Sequence, residues 1–253
     1  FLVVQELFPT ETTRYADVIL PAASFAECDG TFTNGERRIQ RVRKAIPALC
    51  GQENWQTICR ISQMMGYPMT YSHPSEIMDE IASLAPMFAG VRFDRLDDGG
   101  LQWPIPSIDH PGTETMHADN FSCGLGRFNS VEHRPPAEGT DAEYPLILTT
   151  GRRREHYNSG SMTRRSKGIM WVWPEETVEI SPADARELGI EDGEMVSVRS
   201  RRGEVKTRAR VTDKSSRGVV FMSFHYQDVL TNLLTNAALD PQAKTPEYKA
   251  CAV

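Results

Sequence analysis

The 253-residue sequence lacks most of the short signatures by which an enzyme is recognised. It has no CxxC pair. Its five cysteines, Cys28, Cys50, Cys59, Cys123 and Cys251, lie at least nine positions apart. Neither a zinc ribbon nor an iron–sulfur cluster is built in the usual way from such spacing, and an odd count at this length reads as scattered reduced thiols rather than a disulfide scaffold. GxSxG, HExxH, GxGxxG and a Walker A loop are all absent, which excludes a nucleophile elbow, a zincin site and the two commonest phosphate-binding fingerprints. No run reaches the roughly 18 apolar residues of a membrane-spanning helix. Positive charge is not in excess either: 28 Lys and Arg against 34 Asp and Glu leave a net charge of −6, the wrong sign for a protein that wraps duplex DNA, so nucleic acid is not an expected partner. The opening Phe1-Leu2-Val3-Val4 has no basic region and no cleavage site ahead of it. The expectations from that are a cytoplasmic protein and a chain that starts mid-domain, with a buried strand already under way at its first residue.

What is present is ordinary globular composition, 40% hydrophobic and 25% charged, at a length that suits one large domain or two average ones. Residues 1–90 read as α/β. Val3-Val4 and the run from Ala16 to Pro21 are strand-like, and Trp55, Ile58, Ile61, Met64 and Met65 recur at helical spacing until Gly66 and Pro68 end the pattern. Ser75 reads as the N-cap of a second helix carrying Ile77, Met78, Ile81 and Leu84. Residues 91–143 are rich in Gly, Pro, Asp and His and read as a linker or a long surface loop. Residues 144–253 switch to short strands, at 145–149, 177–180, 195–199, 204–211 and 218–222. A turn at Arg202-Gly203 joins two of them, and one helix is capped by Ser181, begun by Pro182 and ended by Gly189. Short strands around one small helix suggest a compact β-barrel.

Three stretches carry candidate chemistry. Thr149 to Lys167, TTGRRREHYNSGSMTRRSK, holds six basic residues against the single Glu155, a local charge of +5 directly after a strand. Glycines permit close backbone approach, and guanidinium forks, hydroxyls and backbone N–H groups suit a diphosphate. The alternative is a solvated basic loop. The second stretch is Phe224-His225-Tyr226 followed by Asn232 and by Lys244, Pro246, Tyr248 and Lys249. An Asn set among apolar residues, as Asn232 is, must pair with backbone or with a ligand once buried. The third is Glu6 to Arg14, at the carboxyl end of the first strand, where open α/β sheets bind ligands. Glu6 suits a guanine or ribose edge and equally the first turn of a helix. His156 and His225 are far apart in sequence, and no nucleophilic triad is legible.

Longer runs resemble a known family: ADVILPAASFAECDGTFTNGERRIQ at 16–40, TTGRRREHYNSGSMTRRS at 149–166, DARELGIEDGEMVSVRSRRGEV at 184–205, NLLTNAALDP at 232–241 and KTPEYKACAV at 244–253. These are similar to the C-terminal part of formate dehydrogenase catalytic subunits in the molybdopterin oxidoreductase superfamily. The resemblance implies the end of a Rossmann-like α/β domain over 1–90, followed by a double-psi β-barrel over 144–253. It implies a bis-molybdopterin guanine dinucleotide carrying Mo or W, shared with a preceding region that also holds a 4Fe-4S cluster. Glu6 and Thr10 would meet one dinucleotide. Thr150, Gly151, Arg152, His156, Asn158, Ser161, Phe224, Asn232, Tyr248 and Lys249 would meet the other, with Phe224 standing where a relative has Tyr. The family's catalytic and metal-ligating residues lie upstream, so no catalytic residue is expected within these residues and the chain alone is expected to be inactive. Expected partners are the N-terminal remainder of the catalytic subunit, an electron-transfer subunit, and formate as substrate of the whole enzyme. The competing readings are another molybdoenzyme, such as a nitrate reductase, and a non-catalytic double-psi barrel module.

Overall fold

Apolar runs too short for helices pair near the start of the chain as parallel strands β1 (Val3–Glu6) and β2 (Val18–Pro21), with Val3 opposite Val18 and Glu6 opposite Pro21. The computed structural model describes residues 1–253 and divides into two units, Phe1–Asn129 and Ser130–Val253.

In the first unit β1 pairs with β2 alone. Its opening residues are therefore not the buried strand that their apolarity suggests: Phe1, Leu2 and Val3 are exposed, because no further strand or helix of the unit covers them. A second sheet is antiparallel, β3 (Gly30–Thr33), β4 (Arg38–Val42) and β5 (Leu101–Gln102), with β4 central. The core gathers Ile39, Met78, Val91, Leu96 and Ile105. The stretch expected as linker thus contributes β5 and three core residues in its first part. Those residues are spaced too irregularly to show a period, and each is buried singly.

Helix α1 (Asn54–Met64) starts at Glu53, which forms a capping box with Gln56. The Asn54 carboxamide ties the helix start to the backbone of Ala23, accepting from its N–H at 2.8 Å and donating to its carbonyl at 2.9 Å. The apolar face read from the sequence points outward: Ile58, Ile61, Met64 and Met65 are exposed, while Thr57 and Cys59 are buried. Helix α2 (Pro74–Leu84) is capped by His73 rather than Ser75. The His73 ring accepts from the Ser75 N–H, and Pro74 takes the first helical position, one residue too early for Ser75 to cap.

The second unit is a six-stranded mixed sheet in the order β11-β6-β10-β7-β9-β8, compatible with a barrel. Its members are β6 (Ile147–Gly151), β7 (Thr177–Ile180), β8 (Met195–Arg199), β9 (Glu204–Val211), β10 (Val219–Ser223) and β11 (Cys251–Ala252). β6 runs parallel to β10, and β8 pairs antiparallel with β9 through the expected turn, where the Ser200 N–H donates to the Gly203 carbonyl. Val205, Thr207 and Ala209 alternate into the interior, joining Leu148, Ile180, Val220, Met222 and Leu234. A short helix α3 (Lys167–Val172) follows the basic loop. Helix α4 (Pro182–Leu188) matches its sequence signals: Ser181 accepts from the Asp184 N–H, and Gly189 ends the helix in the left-handed region at φ 68°. No helix is long and apolar enough to cross a membrane.

Candidate functional site

Because β6 and β10 are parallel with Gly151 opposite Ser223, both strands leave the sheet at the same end. Arg152-Arg153 therefore emerges beside Phe224-His225. Gly151 lets the Phe221 ring close over the exit: a Cβ there would lie 2.5 Å from that ring, which would have to shift. The Arg152 guanidinium rests over the Phe224 ring, 5.2 Å from its centroid.

These two residues open a cleft of about 440 Å³ whose lining also includes Asn232, Tyr248, Thr235, Asn236 and Pro246. Four expected residues, Arg152, Phe224, Asn232 and Tyr248, are thus brought together from three separate parts of the chain. Asn232 is exposed in the cleft wall, on a single 3-10 turn (Thr231–Leu233), and is not the buried Asn that its apolar neighbours suggested. The Asn with the structural role is Asn236. Its amide donates to the carbonyls of Glu247 at 2.8 Å and Ala250 at 3.0 Å, and its oxygen accepts from the Ala238 N–H at 2.9 Å. Thr235 and Asn236 also line the cleft, and the sequence marks Asn236 only by its spacing of four from Asn232.

Thr150 and Lys249 build the wall from behind. The buried Thr150 hydroxyl donates to the Tyr248 carbonyl at 2.9 Å, and the Lys249 ammonium donates to the Thr150 carbonyl.

The +5 loop does not form a single cradle. Arg153 turns inward and is buried, donating to Glu179 at 2.8 Å and to the Thr177 hydroxyl at 2.9 Å, with Glu176 at 3.6 Å and the Trp173 ring 4.0 Å away. Arg154 pairs with Glu155, and Arg165 donates to the Ser161 carbonyl. Arg152 is the member that lines the cleft. The loop was expected to act through summed charge, whereas neighbouring arginines here point into unlike surroundings.

His156, Asn158 and Ser161 lie outside the cleft lining. His156 is buried, with Nδ1 bonded to the Thr163 hydroxyl at 3.0 Å and Nε2 to the Tyr226 hydroxyl at 3.0 Å. Burial pushes the Tyr226 phenol up to about 12. Asn158 has a left-handed backbone at φ 47°, and its carbonyl accepts from His225 Nδ1. The Ser161 hydroxyl bonds Ser159 at 3.0 Å.

Glu6 and Thr10 belong to the first unit. Glu6 ends β1 and accepts from the Leu7 N–H at 2.8 Å. The Thr10 N–H and carbonyl both bond the Thr13 hydroxyl, at 3.1 and 2.7 Å. That unit has its own hollow of about 580 Å³ beside the Lys44–Glu53 ion pair, and none of the expected residues line it. No group of three or more His, Cys, Asp or Glu side chains is placed to hold a metal.

Chemically, the cleft offers a guanidinium with no ion-pair partner, two aromatic faces, an exposed carboxamide and a hydroxyl. Its volume lies in the range of small-molecule sites. That donor set is chemically suited to a planar base joined to phosphate, since aromatic faces can stack on a base and a guanidinium can match phosphate oxygens in bidentate fashion.

Comparison with known proteins supplies a chemical context. A family model described as "Molydopterin dinucleotide binding domain" matches residues 146–252, and one described as "Molybdopterin oxidoreductase" matches residues 1–64. The chain is 50% identical over its whole length to the F420-dependent formate dehydrogenase 2 subunit alpha of Methanococcus maripaludis, covering 38% of that protein. It is 46% identical, again over its whole length and 38% of the relative, to the F420-dependent formate dehydrogenase subunit alpha of Methanocaldococcus jannaschii. Among solved structures, acetylene hydratase from Pelobacter acetylenicus aligns with a TM-score of 0.70 at 16% identity, over 99% of this chain and 40% of that one. This last likeness speaks for the fold alone. The chain spans well under half the length of these curated relatives.

Proposed function

Since the chain belongs to the molybdopterin oxidoreductases, we propose that its second unit holds the guanine dinucleotide end of a bis-molybdopterin cofactor in the Arg152 cleft, as part of a formate dehydrogenase. In this reading 144–253 is a double-psi β-barrel and 1–90 is the end of a Rossmann-like domain. When bound, the Mo or W carried by that cofactor supplies the two-electron exchange that converts formate to CO2. The chain's own share is placement and electrostatics. Arg152 neutralises phosphate oxygens through paired N–H donors, and Phe224 beneath it limits its rotamers, so less freedom is lost on binding. Asn232 presents both a donor and acceptors to a base edge. Tyr248 and Phe224 offer ring faces. In the first unit, Glu6 and Thr10 stand at the strand end suited to a second dinucleotide. His156, Asn158 and Ser161 shape the basic loop rather than line the cleft.

No residue of this chain is assigned to the redox chemistry. The rest of the enzyme, with a 4Fe-4S cluster, the metal-ligating residue and an electron-transfer subunit, is assigned to the part of the relatives' length that this chain does not span.

The observation that carries the reading is the convergence of Arg152, Phe224, Asn232 and Tyr248 on one cleft. Guanosine diphosphate is the probe that tests it. Titrated into the full chain, it is expected to bind more tightly than adenosine diphosphate, and Arg152→Ala is expected to weaken binding about tenfold or more, the worth of a charge-assisted hydrogen-bond pair. Equal affinity in the variant, or no binding by the native chain, overturns the assignment of the cleft.

A further inference from the structure

Two consecutive residue pairs meet at the mouth of the cleft. Phe224 lies beneath Arg152, and the next residue, His225, accepts the backbone N–H of the next one, Arg153, on Nε2 at 2.8 Å. His225 Nδ1 bonds the Asn158 carbonyl. Since an amide N–H can only donate, Nε2 carries no proton; since a carbonyl can only accept, Nδ1 carries one. The tautomer is thereby set by its two partners. The side chain is wholly buried and ties both ends of the 153–158 segment to the end of β10. A third contact fixes the same place from outside: Gly160, at φ 71°, presses against the His225 carbonyl, where a Cβ would come within 2.7 Å.

We infer that His225 is the positioning residue of this cleft: as a neutral imidazole protonated on Nδ1 it holds the 152–158 loop in the register that lays Arg152 on Phe224, and a second ring proton releases the loop. The inference rests on the proposed cleft for its functional meaning, while its structural content stands by itself. A doubly protonated ring has no lone pair for the Arg153 N–H and sets a buried cation beside a buried arginine.

The groups around the ring are His156, with its ring centroid 5.5 Å away, the adjoining Tyr226, Arg153 from the loop, Arg164 next to Gly160, and Glu176, which precedes β7 and bonds Ser223. Burial holds His225 below the ordinary imidazole value of 6.5. The Asn158 carbonyl opposes that, His156 adds to it, Glu176 opposes it and Arg153 adds to it, leaving the net direction downward. The folded value being depressed, the staple contributes fully above 6.5 and is lost as pH falls through the lower, folded value.

The test uses the full chain. Ring ¹⁵N shifts at pH near 7.5 are expected to show His225 protonated on Nδ1 and bare on Nε2; the opposite tautomer overturns the inference. Amide exchange over 153–158, corrected for the intrinsic pH dependence, is expected to lose about tenfold in protection once the ring takes its second proton. His225→Gln keeps an acceptor where Nε2 stands and cannot be protonated, so its protection is expected to be the same on both sides of that transition. His225→Ala is expected to be unprotected throughout. Protection in the native chain that ignores pH, or a Gln variant that follows pH as the native chain does, overturns the staple. Guanosine diphosphate affinity, measured in parallel, is expected to fall with protection in the native chain and to stay level in the Gln variant. If the nucleotide binds neither protein, the cleft assignment fails while the ring and exchange results still decide the staple.

Discussion

Arg152 and Arg153 have the same side chain and opposite fates. The first lies exposed over Phe224; the second is buried against Glu179, Thr177 and Trp173. A buried ion pair is weak evidence of net stability, but removing one partner leaves an uncompensated charge. Arg153→Met would strand the buried carboxylate of Glu179 and leave that of Glu176 with only the neutral donors of Ser223 and Thr177, and is expected to cost about 3–5 kcal/mol, read as a lowered urea midpoint with an unchanged slope. The basic run was legible in the sequence as a candidate ligand loop. Which of its arginines faces a ligand was not, because Arg153 is claimed by Glu179, 26 positions away on another strand. Asn232 and Asn236 make the same point: both are Asn in one segment, yet one is exposed in the cleft wall and the other ties the 236–238 and 247–250 segments together.

Among the elements, α4 was readable to its caps, since every signal is local: Ser181 before it, Pro182 at its first position, Gly189 after it. Ser181→Ala removes the acceptor for the Asp184 N–H and the partner of the Asp184 carboxylate. It is expected to cost about 1 kcal/mol, within the usual range for a lost N-cap, as a fall in Tm of a few degrees. Helix α1 was legible as a helix but not in its orientation, because a period of 3.6 names a face without naming what it faces. The segment before β6 adds a latch. Arg201 and Arg202, at the β8–β9 turn, both pair with Glu138, and Arg201 also with Asp141, while the Ala137 N–H donates to Glu247 beside the cleft. Burial pushes the Glu138 carboxyl up, but Arg202 and Arg201 outweigh it and hold it below its usual 4.5. The folded value being the lower, the latch contributes above 4.5 and is lost as pH falls through the folded value. The thermal midpoint is expected to fall in that acid window, and to fall less in Glu138→Gln, which cannot lose a carboxylate charge.

For the whole molecule, the decisive proportion is that the chain spans 38% of the length of its formate dehydrogenase relatives. The expected outcome of blotting the native source with an antibody to residues 149–166 is a band between two and three times heavier than 28.4 kDa, as the 38% share implies. A band at that mass would identify a separate subunit that works with a partner. In either case the isolated chain is expected to show no formate oxidation with an artificial electron acceptor, and detectable turnover would place redox residues within it.

Strand alternation, helix caps and turn residues are local properties of neighbouring residues, so the α/β and β-rich halves were legible without coordinates, and the family was legible from the resemblance of long runs such as HYNSGSMTRR. Coordinates were needed to see which of the expected residues form one cleft, that Arg153 is buried in ion pairs, that both ring nitrogens of His156 are bonded, and that His225, legible only as part of a candidate stretch, bonds both ends of the 153–158 segment. The cleft and the His225 contacts depend on the parallel pairing of β6 with β10, which sets residues 152 and 224 side by side across more than 70 positions of chain, and the burial of Arg153 depends on Glu179 of β7. No local pattern encodes a contact of that separation.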